Sequence, residues 1–251
     1  MKDEYQLKPR QTLSIVPIGD IHRGSPETNY KYLEYWKHTI NHIKGPKRIY
    51  LMGDLIEAAT KSLADSSYEQ EMALDDQISE TIDFFKPYSD DIVFACNGNH
   101  ELRLKKDYSL NVTKLIARQL GCESGNQYLD TFYINDKPIT VYVAHGKGSS
   151  MYHYTAESKI IRDTQTIDCD IVMHGHNHRC GHFSIPKTTS EGLKRKHYIF
   201  TGAFLSYGGY ADTMQLPRLP ESFIYLGINS IGRVFPNIFY IDERQPEMMK
   251  E

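Results

Sequence analysis

The feature that most constrains this chain is a repeated unit: a short apolar run, a glycine with polar residues beside it, then helical periodicity. The run at residues 13–18 ends at Gly19-Asp20, and the run at 48–52 ends at Gly53-Asp54. A third run, 92–96, leads into Asn97-Gly98-Asn99-His100. Between them, Leu33, Trp36, Ile40 and Ile43 recur at helical spacing, predicting an amphipathic helix over 30–43. Leu74, Ile78, Ile82 and Phe85 mark a second helix, stopped by Pro87. Strand, helix, strand, helix, strand is the order of a parallel sheet. A third helix is expected over 108–120, with Gly121 where a C-terminal cap belongs. From Tyr128 the pattern shifts to strands, at 131–134, 139–144, 171–174, 197–201, 223–228 and 234–241. The expected architecture is therefore α/β: two mixed β-sheets packed as a sandwich and flanked by helices. One domain over 1–251 is expected, since that length is enough for one large core and no linker or repeat interrupts it.

Composition narrows the function classes. The formal net charge is -3, so no global positive field recruits a nucleic-acid backbone, and any contact with a phosphate polymer must be local. No run approaches the roughly 20 apolar residues of a membrane span, and the N-terminus is acidic without an apolar signal core. A cytoplasmic protein without membrane contact is expected. Cys96, Cys122, Cys169 and Cys180 show no CxxC pairing and read as reduced, buried thiols. A zinc site from Cys169 and Cys180 has no supporting spacing.

The polar clusters fall where strands end, the place where open α/β sheets bind ligands. There are five: Gly19-Asp20-Ile21-His22, Gly53-Asp54-Leu55-Ile56-Glu57, Gly98-Asn99-His100-Glu101, Ala144-His145-Gly146 and Gly175-His176-Asn177-His178. Singly, each has a plain alternative. Asp20 and Asp54 could serve as turn residues, and His145 could be a satisfied core histidine. His176 and His178 form the sharpest pair, because alternate residues of an extended segment share a face. Together, the clusters place seven ligand-capable groups at five strand ends. Mixed imidazole, carboxylate and amide donors suit Mn²⁺, Fe or Zn²⁺ better than an all-oxygen cage for Mg²⁺ or Ca²⁺.

The order GD-x-H, GD-x-x-E, GNHE, HG, GH-x-H resembles the calcineurin-like metallophosphoesterase superfamily, from residue 19 to residue 178. The resemblance implies a four-layer α/β/β/α fold and two divalent metal ions, Mn²⁺ first among the candidates. It implies that Asp20, His22, Asp54 and His178 bind one ion. Asp54, Asn99, His145 and His176 would bind the other, with Asp54 bridging. The implied reaction is in-line hydrolysis of a phosphomonoester or phosphodiester by a metal-bridging hydroxide. His100 would stabilise or protonate the leaving oxygen. Glu57 stands where many relatives place an aspartate that orients this histidine, and a solvent-exposed Glu57 is the competing reading. Nucleotides or nucleic-acid ends are the preferred substrate class. The reading from a different class is a non-catalytic scaffold or accessory subunit of the same fold.

Departures from the pattern narrow the substrate. Protein Ser/Thr phosphatases of the superfamily carry Arg-Gly after the second motif and Arg before GNHE; here Ala58-Ala59 and Asn97 stand there. Arg23, Arg103 and Arg179 are the candidate replacements for binding phosphate, because a guanidinium fork matches phosphate oxygens. His174 is expected to be buried behind the ligands, and His153 to lie at the surface. Tyr152, Tyr154, Tyr207 and Tyr210 could stack on nucleobases, but strand propensity is the favoured explanation. Lys194-Arg195-Lys196 is expected on a solvated hairpin tip.

Overall fold

The structure, a computed structural model, describes residues 3–59, 70–148, 152–189, 192–209, 212 and 217–240, the side chain of His153 excepted. Five helices and twelve strands alternate in it. The first half runs β1 (Glu4–Tyr5), β2 (Thr12–Ile18), α1 (Tyr30–His42), β3 (Lys47–Leu51), α2 (Leu74–Phe85), β4 (Ile92–Cys96), α3 (Asn99–Tyr108), α4 (Val112–Leu120) and β5 (Glu123–Gly125). The second runs β6 (Gln127–Ile134), β7 (Lys137–Ala144), α5 (His153–Asp163), β8 (Ile171–His174), β9 (Cys180–Thr189), β10 (Gly192–Ala203), β11 (Ser222–Asn229) and β12 (Val234–Tyr240).

Local chemistry explains the boundaries. Asn29 caps α1 by accepting a hydrogen bond from the Tyr32 amide, and the helix buries Tyr32, Leu33, Trp36 and Ile40. Asn111 caps α4 in the same way, and Gly121 ends it in the left-handed region. The single helix expected over 108–120 is corrected to two helices. Ser109 adopts a left-handed backbone and terminates α3, so the chain restarts at Asn111. Helix α5 and the short strands β1 and β5 were not read from the pattern, nor was β9, whose burial is intermediate almost throughout and shows no alternation. Tyr152 and Tyr154 belong to the start of α5 and Tyr207 to a loop, so strand propensity does not account for them. Tyr210 lies outside the described residues, as does Ile241 of the expected last strand. The basic run is also corrected. Lys194 and Arg195 are exposed on β10, but Lys196 is buried and donates to the carbonyls of Thr164 and Ile167.

The strands form a large curled mixed sheet in the order β1-β6-β7-β8-β10-β11-β2-β3-β4-β5, with β9 on β10 and β12 on β11. Strands β2, β3 and β4 pair in parallel, as the opening pattern predicts, and β5 continues the row in the same sense. Strand β10 links the halves, pairing with β9 from Gly192 to Thr201, with β8 from His197 to Phe200, and with β11 only through Gly202 and Ala203. The curl gives both halves one core: Ile15, Met52 and Phe94 pack with Phe132, Val141, Met173 and Ile199. A second core lies under α1, α2 and α4, and a third, smaller one under α5. This topology brings the ends of β2, β3, β4, β7 and β8 together at one pole. No helix among the described residues is long and apolar enough to cross a membrane.

Candidate metal centre

Each parallel strand delivers its polar cluster at its carboxyl end, and the backbone there is bent to aim it. Asp20, His22, Asp54, His176 and His178 have φ of 49°, 52°, 49°, 68° and 56°. Left-handed backbone costs a residue with a side chain of order 1 kcal/mol or more, and such strain concentrates at functional sites. Five strained residues in one place mean that the surrounding fold imposes the arrangement.

The donor atoms converge. Asp20, His22 and His178 each offer an atom within 4.8 Å of the others, and so do Asp54, His145 and His176. A third group joins His22, Asp54 and His100. Asn99 completes the second group: its Oδ1 is 2.9 Å from His145 Nε2 and 2.7 Å from His176 Nδ1. Asp54 Oδ2 lies 3.2 Å from His145 Nε2 and 3.8 Å from His22 Nε2, between the first two groups. Ligands about 2.1 Å from one ion at right angles are about 3 Å apart, so this crowding matches a coordination shell. His22 Nε2 is buried with no hydrogen-bond partner, an uncompensated polar atom that a cation would satisfy.

The supporting contacts fix which atoms face inward. The Met52 carbonyl can only accept, so His145 donates from Nδ1 (2.7 Å) and turns Nε2 toward Asp54. Glu57 holds His22 Nδ1 at 3.1 Å, and its other oxygen is 3.5 Å from His100 Nδ1. Glu57 is thus half-buried between two histidines rather than solvated. His100 Nδ1 donates to the Glu57 carbonyl at 2.6 Å, which makes Nε2 the accepting nitrogen of the neutral ring. Arg103 lies 3.1 Å from both ring nitrogens of His100.

Electrostatics follow from packing carboxylates and imidazoles together. Burial raises the Asp20 carboxyl to about 7, with the nearby Asp54 charge adding to the effect. Burial opposes the charge on His145, yet the hydrogen bond to Asp54 and the Asp20 carboxylate raise it to about 9. Asp54 in turn is held well below the usual carboxylate range by His145, against the cost of burial. Burial and the neighbouring His22 push His100 down to about 4. A proton on His145 therefore serves as the counter-charge that a metal ion would replace.

One residue that organises the site was not singled out from sequence. The buried Glu101 carboxylate accepts from the amides of Asp54 (3.1 Å), Leu55 (2.7 Å), Ile56 (3.3 Å) and Gly98 (3.0 Å). It ties the turn after β3 to the start of α3. Its signal was legible as a capping box, a glutamate three residues after Gly98, once a helix is started at Asn99.

Other expected residues lie elsewhere. Arg23 turns its guanidinium to Glu80 (3.0 Å), close to the rings of Tyr30 and Phe84. Arg179 is buried, with its amide bonded to Asn177 and its carbonyl to the Gly202 amide. His174 belongs to neither ligand group; its Nε2 is buried without a hydrogen bond, and burial lowers it to about 4. All four cysteines are free thiols, and none joins a ligand group among the described residues.

The family model for calcineurin-like phosphoesterases matches residues 13–202. Vps29 from Cryptosporidium parvum is similar at 11% identity and TM-score 0.44, over 92% of this chain and 99% of that one. A predicted phosphoesterase from Streptococcus pneumoniae has 11% identity and TM-score 0.39 over 92% and 99%. GAP50, the anchor in the inner membrane complex of Plasmodium, has 10% identity and TM-score 0.50 over 93% and 85%. Of these three, the likeness to GAP50 alone reaches a TM-score of 0.50, and at 10% identity it concerns the fold alone. A search of the curated proteins finds no match. With the match covering well over half of the chain, every polar strand end included, the protein belongs to the calcineurin-like phosphoesterase family.

Proposed function

We propose that this protein is a dinuclear metal-dependent hydrolase of phosphate esters, within a four-layer α/β/β/α arrangement of one domain in which the curled sheet forms two facing layers. The observation that carries the proposal is the sharing of Asp54. Its carboxylate stands between one group made by Asp20, His22 and His178 and another made by Asn99, His145 and His176. Two divalent ions, with Mn²⁺ the first candidate and Fe or Zn²⁺ the others, would supply a water of pKa near 7 and neutralise phosphoryl charge.

The chain's own residues supply the rest. Asp54 is the residue that would be shared by the two ions, and Glu57 holds His22 in the tautomer that presents Nε2. His100 donates a proton to the leaving oxygen. Its depressed pKa leaves it neutral before substrate arrives, and the negative charge of a bound phosphate raises it. Arg103, beside His100, has the planar fork that suits phosphate oxygens. The intact ligand set favours an enzyme over a scaffold or accessory subunit. Nucleotides or nucleic-acid ends are the preferred substrates. Supporting this, Tyr152 and Tyr154 stack on each other at 5.6 Å, are well exposed, and follow His145 closely in the chain. Free thiols throughout suit a cytoplasmic setting.

The test is hydrolysis of p-nitrophenyl phosphate, its bis-ester, and nucleotide mono- and diesters with added Mn²⁺, beside metal analysis of Asp54→Asn. The expected result is metal-dependent turnover by the native chain and loss of both ions from the variant. Two bound metals with no turnover of any of these esters would point to the scaffold instead.

A further inference from the structure

A cavity of about 500 Å³ opens at the opposite end of β2 from the metal centre, within the size range of small-molecule sites. It lies between the last turn of α1 and the outer face of β2, β11 and β12. Ser14 and Asp20 are six residues apart in the chain, which at ~3.3 Å per strand residue separates cavity and metal centre by about 20 Å. Thr12, Ser14 and Thr39 line it, with Tyr225 and Phe235 as aromatic walls. No aspartate or glutamate is among the lining residues, whereas His42 and Lys44 are. Lys44 is exposed and forms no ion pair among the described residues.

Gly227 is an independent observation. It sits inside β11, paired with Ser14 on one side and Phe235 on the other in unbroken register. Glycine inside a strand costs roughly 0.5–1 kcal/mol and marks a bulge, a bend, or close approach by a backbone or ligand. Here there is no bulge and no left-handed φ, and an added Cβ would meet nothing nearer than 3.9 Å. Packing does not demand this glycine. What it does is leave open the floor of the cavity.

We infer that this cavity is a second ligand site, for a small anion that carries a planar ring. The ring enters between Tyr225 and Phe235 over Gly227, and the anionic group faces Lys44 and His42. The inference is independent of the hydrolytic reading of the metal centre.

The test uses naphthalene-2-sulfonate, whose charge no phosphoesterase removes, and uncharged 2-naphthalenemethanol, by titration calorimetry on the full chain. The sulfonate is expected to bind the native protein, and at least tenfold more weakly to Gly227→Val and to Lys44→Glu. Because Gly227 has space and an ordinary backbone, the valine variant is expected to fold, and a thermal melt checks this. Hydrolysis at the metal centre is expected to be unchanged in Gly227→Val. No binding to the native chain would overturn the inference, as would undiminished binding to a folded Gly227→Val. Equal affinity for the uncharged alcohol would overturn the assignment of an anion.

Discussion

The two ends of β2 use glycine for opposite reasons. At the carboxyl end, a Cβ on Gly98 would lie 2.0 Å from the Asp54 amide nitrogen and 2.2 Å from its Oδ1. At the amino end, a Cβ on Gly227 would sit 3.9 Å from its nearest neighbour. The first glycine lets two backbones close on each other so that ligands from different strands meet. The second holds a space open. Around Gly98 the backbone is strained and charges are buried; around Gly227 the strands are regular and Tyr225 and Phe235 line an open surface. A residue type alone does not say which role it plays; the atoms facing it do.

The comparison breaks first at Gly98. Gly98→Ala is expected to cost ~3 kcal/mol or more and to abolish metal binding, because the added methyl collides with the Asp54 backbone and no flexible side chain can yield. Denaturant unfolding and metal analysis check this, and a metal-replete alanine variant would show that the close approach is dispensable. Next comes His100→Ala, expected to keep its metals and lose ~10²–10⁴-fold in kcat. Loss of metal there would move His100 into the coordination shell.

A smaller effect concerns protons. His145 is raised to about 9 and Asp20 to about 7, so at neutral pH and with no cation bound His145 holds its proton and Asp20 is about half protonated. A raised histidine stabilises the cation-free fold below about pH 6.5, and that contribution is lost as pH rises through about 9. Metal ligation needs both groups deprotonated, so loading at pH 7 is expected to release at least about one proton, with affinity rising toward pH 9. Calorimetry in buffers of different ionisation heat measures this; a release of zero would contradict it. The smallest effect is at Gly227. Gly227→Val is expected to raise stability by about 0.5–1 kcal/mol, read as a higher Tm, because nothing opposes a strand-forming residue there.

Much of the centre was legible because its chemistry is local in sequence. Each ligand sits within a few residues of a glycine at the end of an apolar run, and the runs of β2, β3 and β4 are continuous because both faces of these strands are covered. The Glu57 carboxylate lies 3.5 Å from His100 but closer, at 3.1 Å, to His22, since it reaches from a turn whose conformation no local pattern encodes. Arg23 adjoins a ligand in sequence, yet Glu80 on α2 draws it to the far side, a contact 57 residues away. Lys196 reads as part of a solvated run, and only the carbonyls of Thr164 and Ile167 explain its burial.

By itself, the amino-acid order determined the alternation of strands and helices, the strand ends where polar groups gather, and the donor types available to a metal. These follow from side-chain period and residue chemistry, which act over a few positions. The tertiary structure decided that β10 joins the two halves of the sheet and that Asp54 stands between two donor groups. It also decided that Glu101 holds the turn beneath them, and that Gly227 opens a cavity at the other pole. Those outcomes depend on segments far apart in the chain being forced to share one core, where space and charge have to be settled together.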